Sequence, residues 1–378
     1  DAREPKGFLT DLNPQDYDGQ FEWTPRSTRP SLSINPNQIQ ENSIGLLIPN
    51  TNASVLSFND QILSINDNGG EGGFDFYDQV KIYKKHRQGI YSISMNGDSP
   101  VKTSGNSNCY RIALLSKRKT DVLLVTINQW QTGISASPTT VEGRASWYSF
   151  AFWLQIAAST LLDIDSQELQ AGMRTIPDSE KNIIGQGFLS DQLENGAGYC
   201  RFLAQSEEFQ RLLTQADISR VNNLANKWLQ SKHSDNCDTS CNLCLQDYRN
   251  LTYHPILDWK LALDMSRLVS NANAMIDMRT DWGDFPNPWK RLIEGENAPI
   301  PNTLKSLSYS EPLPFASLIG FKYEERNRKN ILILRHPLWN DKHPEWINAK
   351  NEALSKYPDC NVTAGNPFML LRRPAEYV

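Results

Sequence analysis

Three cysteines, Cys237, Cys241 and Cys244, fall within eight residues, and their types and spacing suit one kind of chemistry. Thiolates spaced C-x-x-x-C-x-x-C can turn toward a common point and hold a tetrahedral divalent cation, with zinc the expected one. A structural zinc takes four ligands, so a fourth donor must come from elsewhere in the chain. Cys200 is the expected donor. It begins a helix read over 199–214, and a second helix read over 216–231 runs back antiparallel, bringing Cys237 out beside it. His254, His233 and Asp238 are the alternatives, His254 foremost. A redox-active C-x-x-C needs a strand–motif–helix setting that is missing around Cys241. A catalytic zinc would need an open coordination position beside a general acid or base. His343-Pro344-Glu345 imitates the H-x-E of zinc deaminases, but it follows the cysteines, and Ser240 stands where those enzymes have proline.

Other chemistry is less marked. Gly196-Ala197-Gly198 opens a helix, where free amides could hold an anion, yet a lone G-x-G reads first as a strand-to-helix turn. Lys117, Arg118 and Lys119, and then Arg249 and Asn250 after the cysteines, are the candidate nucleic-acid contacts. For the second group the alternative is mutual pairing of Asp247, Arg249, His254 and Asp258, locking the cysteine knuckle onto the next helix. The basic run Lys81 to Arg87 reads as a solvated face, and His336 as a capping or core histidine. No phosphate loop or Asp-Glu-x-Asp/His box is present, so no ATP hydrolysis is assigned to these residues.

The elements that must position these groups indicate a mixed α/β fold, a β-rich N-terminal region followed by an α/β core with a zinc knuckle between helices. The expected divisions are residues 1–140 (β-rich), 141–279 (zinc-binding α/β), 280–320 (a Pro/Asn-rich connection) and 321–378 (a closing α/β unit). Asp121 to Ile127 is apolar on both faces and reads as a central strand, Arg144 to Leu162 as a buried helix, and 181–189 as a strand. Helices are expected over 256–275 and 344–356, and strands over 331–334 and 368–371. The net charge of -5, with 21% charged and 39% apolar residues, describes a soluble globular chain that does not need a membrane. No apolar run reaches the roughly 20 residues of a membrane helix, and no secretory signal opens the chain, so a reducing cytoplasm is expected. The first residue is Asp1 and not methionine, which suggests a piece of a longer polypeptide.

The run Cys237 to Asn250, followed by His254-Pro255-Ile256-Leu257-Asp258-Trp259-Lys260, resembles the MrfA-like zinc-binding domain found at the C-terminus of bacterial DEAD/DEAH-box (superfamily 2) helicases. Arg3 to Phe8, Thr120 to Leu123, Trp147 to Ser149, Asn195 to Tyr199, His336 to Trp339 and Arg372 to Pro374 extend the resemblance along most of the chain. It implies a structural zinc, DNA as a partner, and membership of a repair or anti-phage system of the DISARM or Druantia type. It also implies helicase motor domains that use ATP and magnesium outside this chain, with a nuclease or methyltransferase as a further partner. Many relatives place four cysteines in the knuckle, whereas three stand here.

Overall fold

The computed structural model describes residues 46–65, 115–177, 182–325 and 328–377 continuously, and elsewhere only the backbone of short strands. Strands β1 (Arg29–Leu32), β2 (Leu46–Leu47) and β3 (Ala53–Ile65) come first. Five short strands follow: β4 (Phe74–Tyr77), β5 (Ile82–His86), β6 (Gly89–Ile93), β7 (Val101–Lys102) and β8 (Cys109–Ile112). They form a sheet ordered β7-β6-β5-β4-β8. Next come β9 (Leu115–Ile127), helix α1 (Val141–Leu162), β10 (Leu169–Pro177) and β11 (Ile183–Asp191). The main sheet runs β1-β3-β9-β11-β10, all antiparallel, with β2 paired to β3. The expected central strand is therefore the central strand, and Val122, Leu123, Leu124 and Val125 are buried on its two faces.

Helix α1 starts where the Thr140 hydroxyl accepts from the Gly143 amide at 3.1 Å, and it ends at Asp163 in the left-handed region. It is buried almost all round because it lies between the sheet and helix α6 (Trp259–Ser270). Gly185 and Gly187 let it approach β11. A Cβ on Gly185 would meet the Trp147 indole at 2.2 Å.

Between β11 and α6 the chain forms only short helices: α2 (Tyr199–Leu203), α3 (Ser206–Leu213), α4 (Leu224–Leu229) and α5 (Ser231–Ser234). The two long helices expected over 199–214 and 216–231 do not form. Asn223 ends the intervening loop as the cap of α4, its Oδ1 accepting from the Asn226 amide at 2.9 Å while its Nδ2 ties down the Thr214 and Asp217 carbonyls. After α1, Asp165 caps a single 3-10 turn and the chain enters β10, for which the sequence pattern gave no expectation.

The C-terminal part contains α7 (Lys290–Ile293), α8 (Pro299–Ser306), β12 (Leu313–Phe315), β13 (Leu318–Glu325), β14 (Arg328–Leu334), α9 (Pro344–Lys356), β15 (Asn361–Gly365) and α10 (Pro367–Leu370). Its sheet is ordered β12-β13-β14-β15, and α9 makes the crossover that parallel β14 and β15 require. The strand expected over 368–371 is instead the end of α10. Pro367 sits at its first position, and the Asn366 side chain accepts from the Met369 amide at 2.8 Å. Residues 280–320 are packed, with Trp282, Trp289, Leu292, Ile300 and Leu304 all buried. One contiguous core extends from Ile48 to Leu370.

His343 joins the two parts. Its ring stacks on Trp339 at 3.6 Å, and Gly133 approaches so closely that a Cβ there would lie 2.2 Å from the His343 backbone. Burial, with His336 nearby, holds His343 down at about 4 against an ordinary 6.5. The folded chain thus prefers the neutral ring, and that contribution is complete above pH ~6.5 and lost as pH falls toward ~4. Melting temperature should decline across that window, and His343→Gln should flatten the decline. An unchanged slope in the variant would remove His343 from the acid response.

Candidate metal centre

The cluster is assembled from one turn of helix and two tight turns. Helix α5 carries His233, the chain leaves it at Cys237, and the knuckle Cys241-Asn242-Leu243-Cys244 closes the loop. The Cys241 amide donates to the Cys244 sulfur at 3.1 Å, and the Cys244 and Gln246 amides donate to the Cys241 carbonyl at 3.0 Å each. Ligand atoms of His233, Cys237, Cys241 and Cys244 all lie within 4.8 Å of one another. A tetrahedral ion with metal–sulfur bonds of ~2.3 Å places its sulfurs about 3.8 Å apart. The observed separations are 4.0 Å for Cys237–Cys244 and 3.8 Å for Cys241–Cys244.

The histidine is prepared for the same role. Its Nδ1 lies 2.8 Å from the Trp228 carbonyl, which fixes the proton on that nitrogen. Its Nε2 is buried without a hydrogen-bond partner. The Trp259 ring meets the imidazole edge-on at 5.1 Å, so the histidine cannot swing away. A buried imidazole nitrogen without a hydrogen-bond partner, facing three sulfurs, fits a cation, and this donor set could hold a zinc ion.

The electrostatics point the same way. The Cys244 thiol donates to Cys237 and His233 lies beside it, which lowers Cys237 to about 4. Burial pushes Cys241 and Cys244 up, because two further anions cannot be desolvated beside the first. A divalent cation would remove that conflict. Three of the four donors are buried and Cys241 is half-buried, and no carboxylate belongs to the cluster. A four-donor site of this kind has no vacant position for a substrate and acts as a cross-link.

The surroundings fix the knuckle to the start of α6. Trp259 Nε1 donates to the Cys237 carbonyl at 2.9 Å, and the Trp259 amide donates to the Thr239 carbonyl at 2.9 Å. Lys260 is buried between Trp259 and Trp289, pairs with Asp258 at 3.0 Å, and donates to the Asp238 carbonyl. Arg291 pairs with the Asp238 carboxylate, which leaves Asp238 outside the donor set.

Cys200, expected as the fourth ligand, is not brought to the cluster. It is fully buried at the start of α2, against β9, where burial and then Asp191 push its thiol well up. The expected return path needed two long helices; with four short ones the chain comes back elsewhere. His254 is not brought there either, since its Nε2 lies 2.8 Å from Asn250 Oδ1 and 3.0 Å from the Asp247 carbonyl. His233 was legible as a donor four residues before Cys237, repeating the step from Cys237 to Cys241.

Of the candidate nucleic-acid contacts, Asn250 is buried, its Oδ1 accepting from the Asp247 amide and its Nδ2 donating to the Leu245 carbonyl. That capping duty withdraws it from solvent. Arg249 is exposed and donates to Gln167. Lys119 is exposed and Arg118 half-buried on β9, while the side chains of Lys117 and of the run Lys81 to Arg87 lie outside what the structure describes. The Gly196–Gly198 turn is already filled by an anion from within. Asp191 Oδ2 accepts from the amides of Ala197, Gly198 and Tyr199 at 2.8, 2.7 and 3.1 Å, and Oδ1 from Cys200 at 3.0 Å. His336 is fully buried, its Nε2 3.0 Å from Asp264 and its Nδ1 accepting from the Leu338 amide at 3.1 Å. No described helix is long and apolar enough to cross a membrane.

No family model matches the chain. Among solved structures it is similar to the DUF1998 helicase MrfA bound to DNA, with a TM-score of 0.32 and 12% identity over 60% of this chain and 24% of that one. In sequence it is similar to the Druantia protein DruE of Escherichia coli (strain UMEA 4076-1), 24% identical over 275 residues, or 68% of this chain. The match spans 14% of that relative's length, so this chain corresponds to a small part of a much larger protein to which it is similar.

Proposed function

We propose that this chain is the zinc-stabilised accessory region of a superfamily 2 DNA helicase or translocase-type protein, binding DNA and docking on the motor in anti-phage defence or DNA repair. The observation that carries the reading is the His233, Cys237, Cys241, Cys244 cluster, a closed donor set clamped to α6. The similarity to a Druantia protein across 68% of the chain supports the defence setting. Zinc acts as a structural cross-link, and ATP and magnesium are used by motor domains outside the chain, in the cytoplasm. The chain contributes no catalytic group of its own.

Exposed Leu243 and Tyr248 at the knuckle favour a second reading, a scaffold that recruits a nuclease or methyltransferase partner without touching DNA. Titrating the zinc-loaded chain with labelled duplex and single-stranded DNA, from about 50 to 200 mM salt, separates the two. The accessory reading expects log K to fall linearly with log salt. No binding at the lowest salt would reject DNA contact and leave the scaffold.

A further inference from the structure

The three sulfurs of the metal cluster differ in how far they are shut away from solvent. Cys237 and Cys244 are buried, whereas Cys241 is half-buried beside a turn whose tip, Asn242-Leu243, is exposed. The sulfur that solvent reaches also has the shorter gap to a second thiol. Cys241 and Cys244 sulfurs are 3.8 Å apart, against 4.0 Å for Cys237 and Cys244. Elsewhere among the described residues, Cys200 and Cys360 are buried free thiols outside the cluster.

A disulfide brings its sulfurs to about 2.05 Å, so the Cys241–Cys244 pair has to close by about 1.8 Å. The two residues flank a two-residue turn that the Cys244 and Gln246 amides already hold by donating to the Cys241 carbonyl. Rotation of the side chains can therefore supply the movement while the backbone stays in place. A catalytic C-x-x-C needs the strand–motif–helix setting that is missing here. Oxidation by a small peroxide asks for less: a reachable thiolate and a neighbouring thiol to resolve it. Sulfur that ligates a metal is held as the thiolate.

We propose that Cys241 is an oxidation site, with Cys244 as its resolving thiol, through which hydrogen peroxide opens the metal centre. The Cys241 sulfur attacks one peroxide oxygen, the O–O bond breaks, and hydroxide leaves and takes a proton from solvent. Sulfur is thereby oxidised to the sulfenic acid and the peroxide is reduced. The Cys244 thiolate then attacks the Cys241 sulfur, the S–S bond forms, and the hydroxyl departs as a second hydroxide, also protonated by solvent. His233 and Cys237 remain as donors, two where a structural zinc takes four. The consequence reaches α6, because the Cys237 carbonyl holds the Trp259 indole at the head of that helix. Dithiol reductants reverse the step, so the site works as a switch. This inference rests on the zinc reading and adds its regulation.

The test treats the full zinc-loaded chain with graded hydrogen peroxide, reads released zinc with a chromophoric chelator, and maps the cysteines by peptide mass spectrometry. The parent should lose one zinc for each Cys241–Cys244 disulfide formed, and dithiothreitol with added zinc should restore both. In Cys244→Ser the oxidised Cys241 has no resolving thiol and should be captured as a dimedone adduct. If Cys244→Ser does not fold, a dimedone pulse early in the reaction of the parent locates the first oxidised sulfur instead. A disulfide through Cys237, a first adduct on another cysteine, or oxidation to sulfinic acid without recovery of zinc overturns the site. So do thiols left unreacted while free cysteine in the same solution is consumed. A parent that carries no zinc before peroxide is added overturns the zinc reading, and the cysteine map still decides the oxidation site.

Discussion

Cys237→Ser is expected to strip the bound zinc and lower the melting temperature by on the order of 10 °C. Serine oxygen is a poor zinc ligand, and a structural site that loses one of four donors loses most of its affinity. The effect should spread beyond the knuckle because Cys237 is buried and its carbonyl receives the Trp259 indole N–H. Trp259 also packs against His233 and is fully buried at the head of α6, so releasing the ion loosens a helix of the main core. A loss of several kcal/mol, at roughly 2–4 °C per kcal/mol for domains of 150–250 residues, gives the stated shift. Metal content by elemental analysis and a thermal melt check it together. A variant that retains zinc and melts with the parent would show that Cys237 is not a ligand.

The second large effect is expected at Asp191, far from the metal centre. Its carboxylate is fully buried and accepts four backbone N–H groups from Ala197 to Cys200. Removing it with Asp191→Ala leaves those donors without an acceptor, each worth ~1–3 kcal/mol where water cannot replace it. Three of the four are only partly buried, so a total of about 4 kcal/mol is expected. Asp191→Asn retains one carbonyl acceptor and should lose about half as much. Urea denaturation followed by fluorescence reads both values, and a loss under about 1 kcal/mol for alanine would mean the turn satisfies its amides another way.

How much of this was legible in the sequence depends on where the information lay. Strand β9 and helix α1 were readable because their apolar residues are local and their burial follows from composition alone. The thiol trio was readable because its ligands are close in sequence, and the distances between them are set by short turns. His233 was readable as one candidate for the fourth ligand, but choosing it over Cys200 required the path of nearly forty residues. That path is decided by Asn223, whose three hydrogen bonds break a helix that propensity alone would continue. Likewise the G-x-G turn looked open to an outside anion until Asp191, five residues before Gly196, proved to occupy it. Residues 280–320 read as a connection because they are rich in proline and asparagine, yet their tryptophans pack into the core. Trp289 Nε1 donates to Asp264 at 2.8 Å there, a contact no local pattern encodes.

His233 and the three cysteines of the knuckle are proposed to hold one zinc. That assignment is tested most directly by the metal-to-chain ratio of the purified parent, of His233→Ala and of Cys200→Ser, with cobalt substituted to report the ligand field. One ion per chain is expected in the parent and in Cys200→Ser, with a tetrahedral thiolate-rich cobalt spectrum, and loss or marked weakening in His233→Ala. A parent without metal, or an ion lost from Cys200→Ser and kept by His233→Ala, would contradict it.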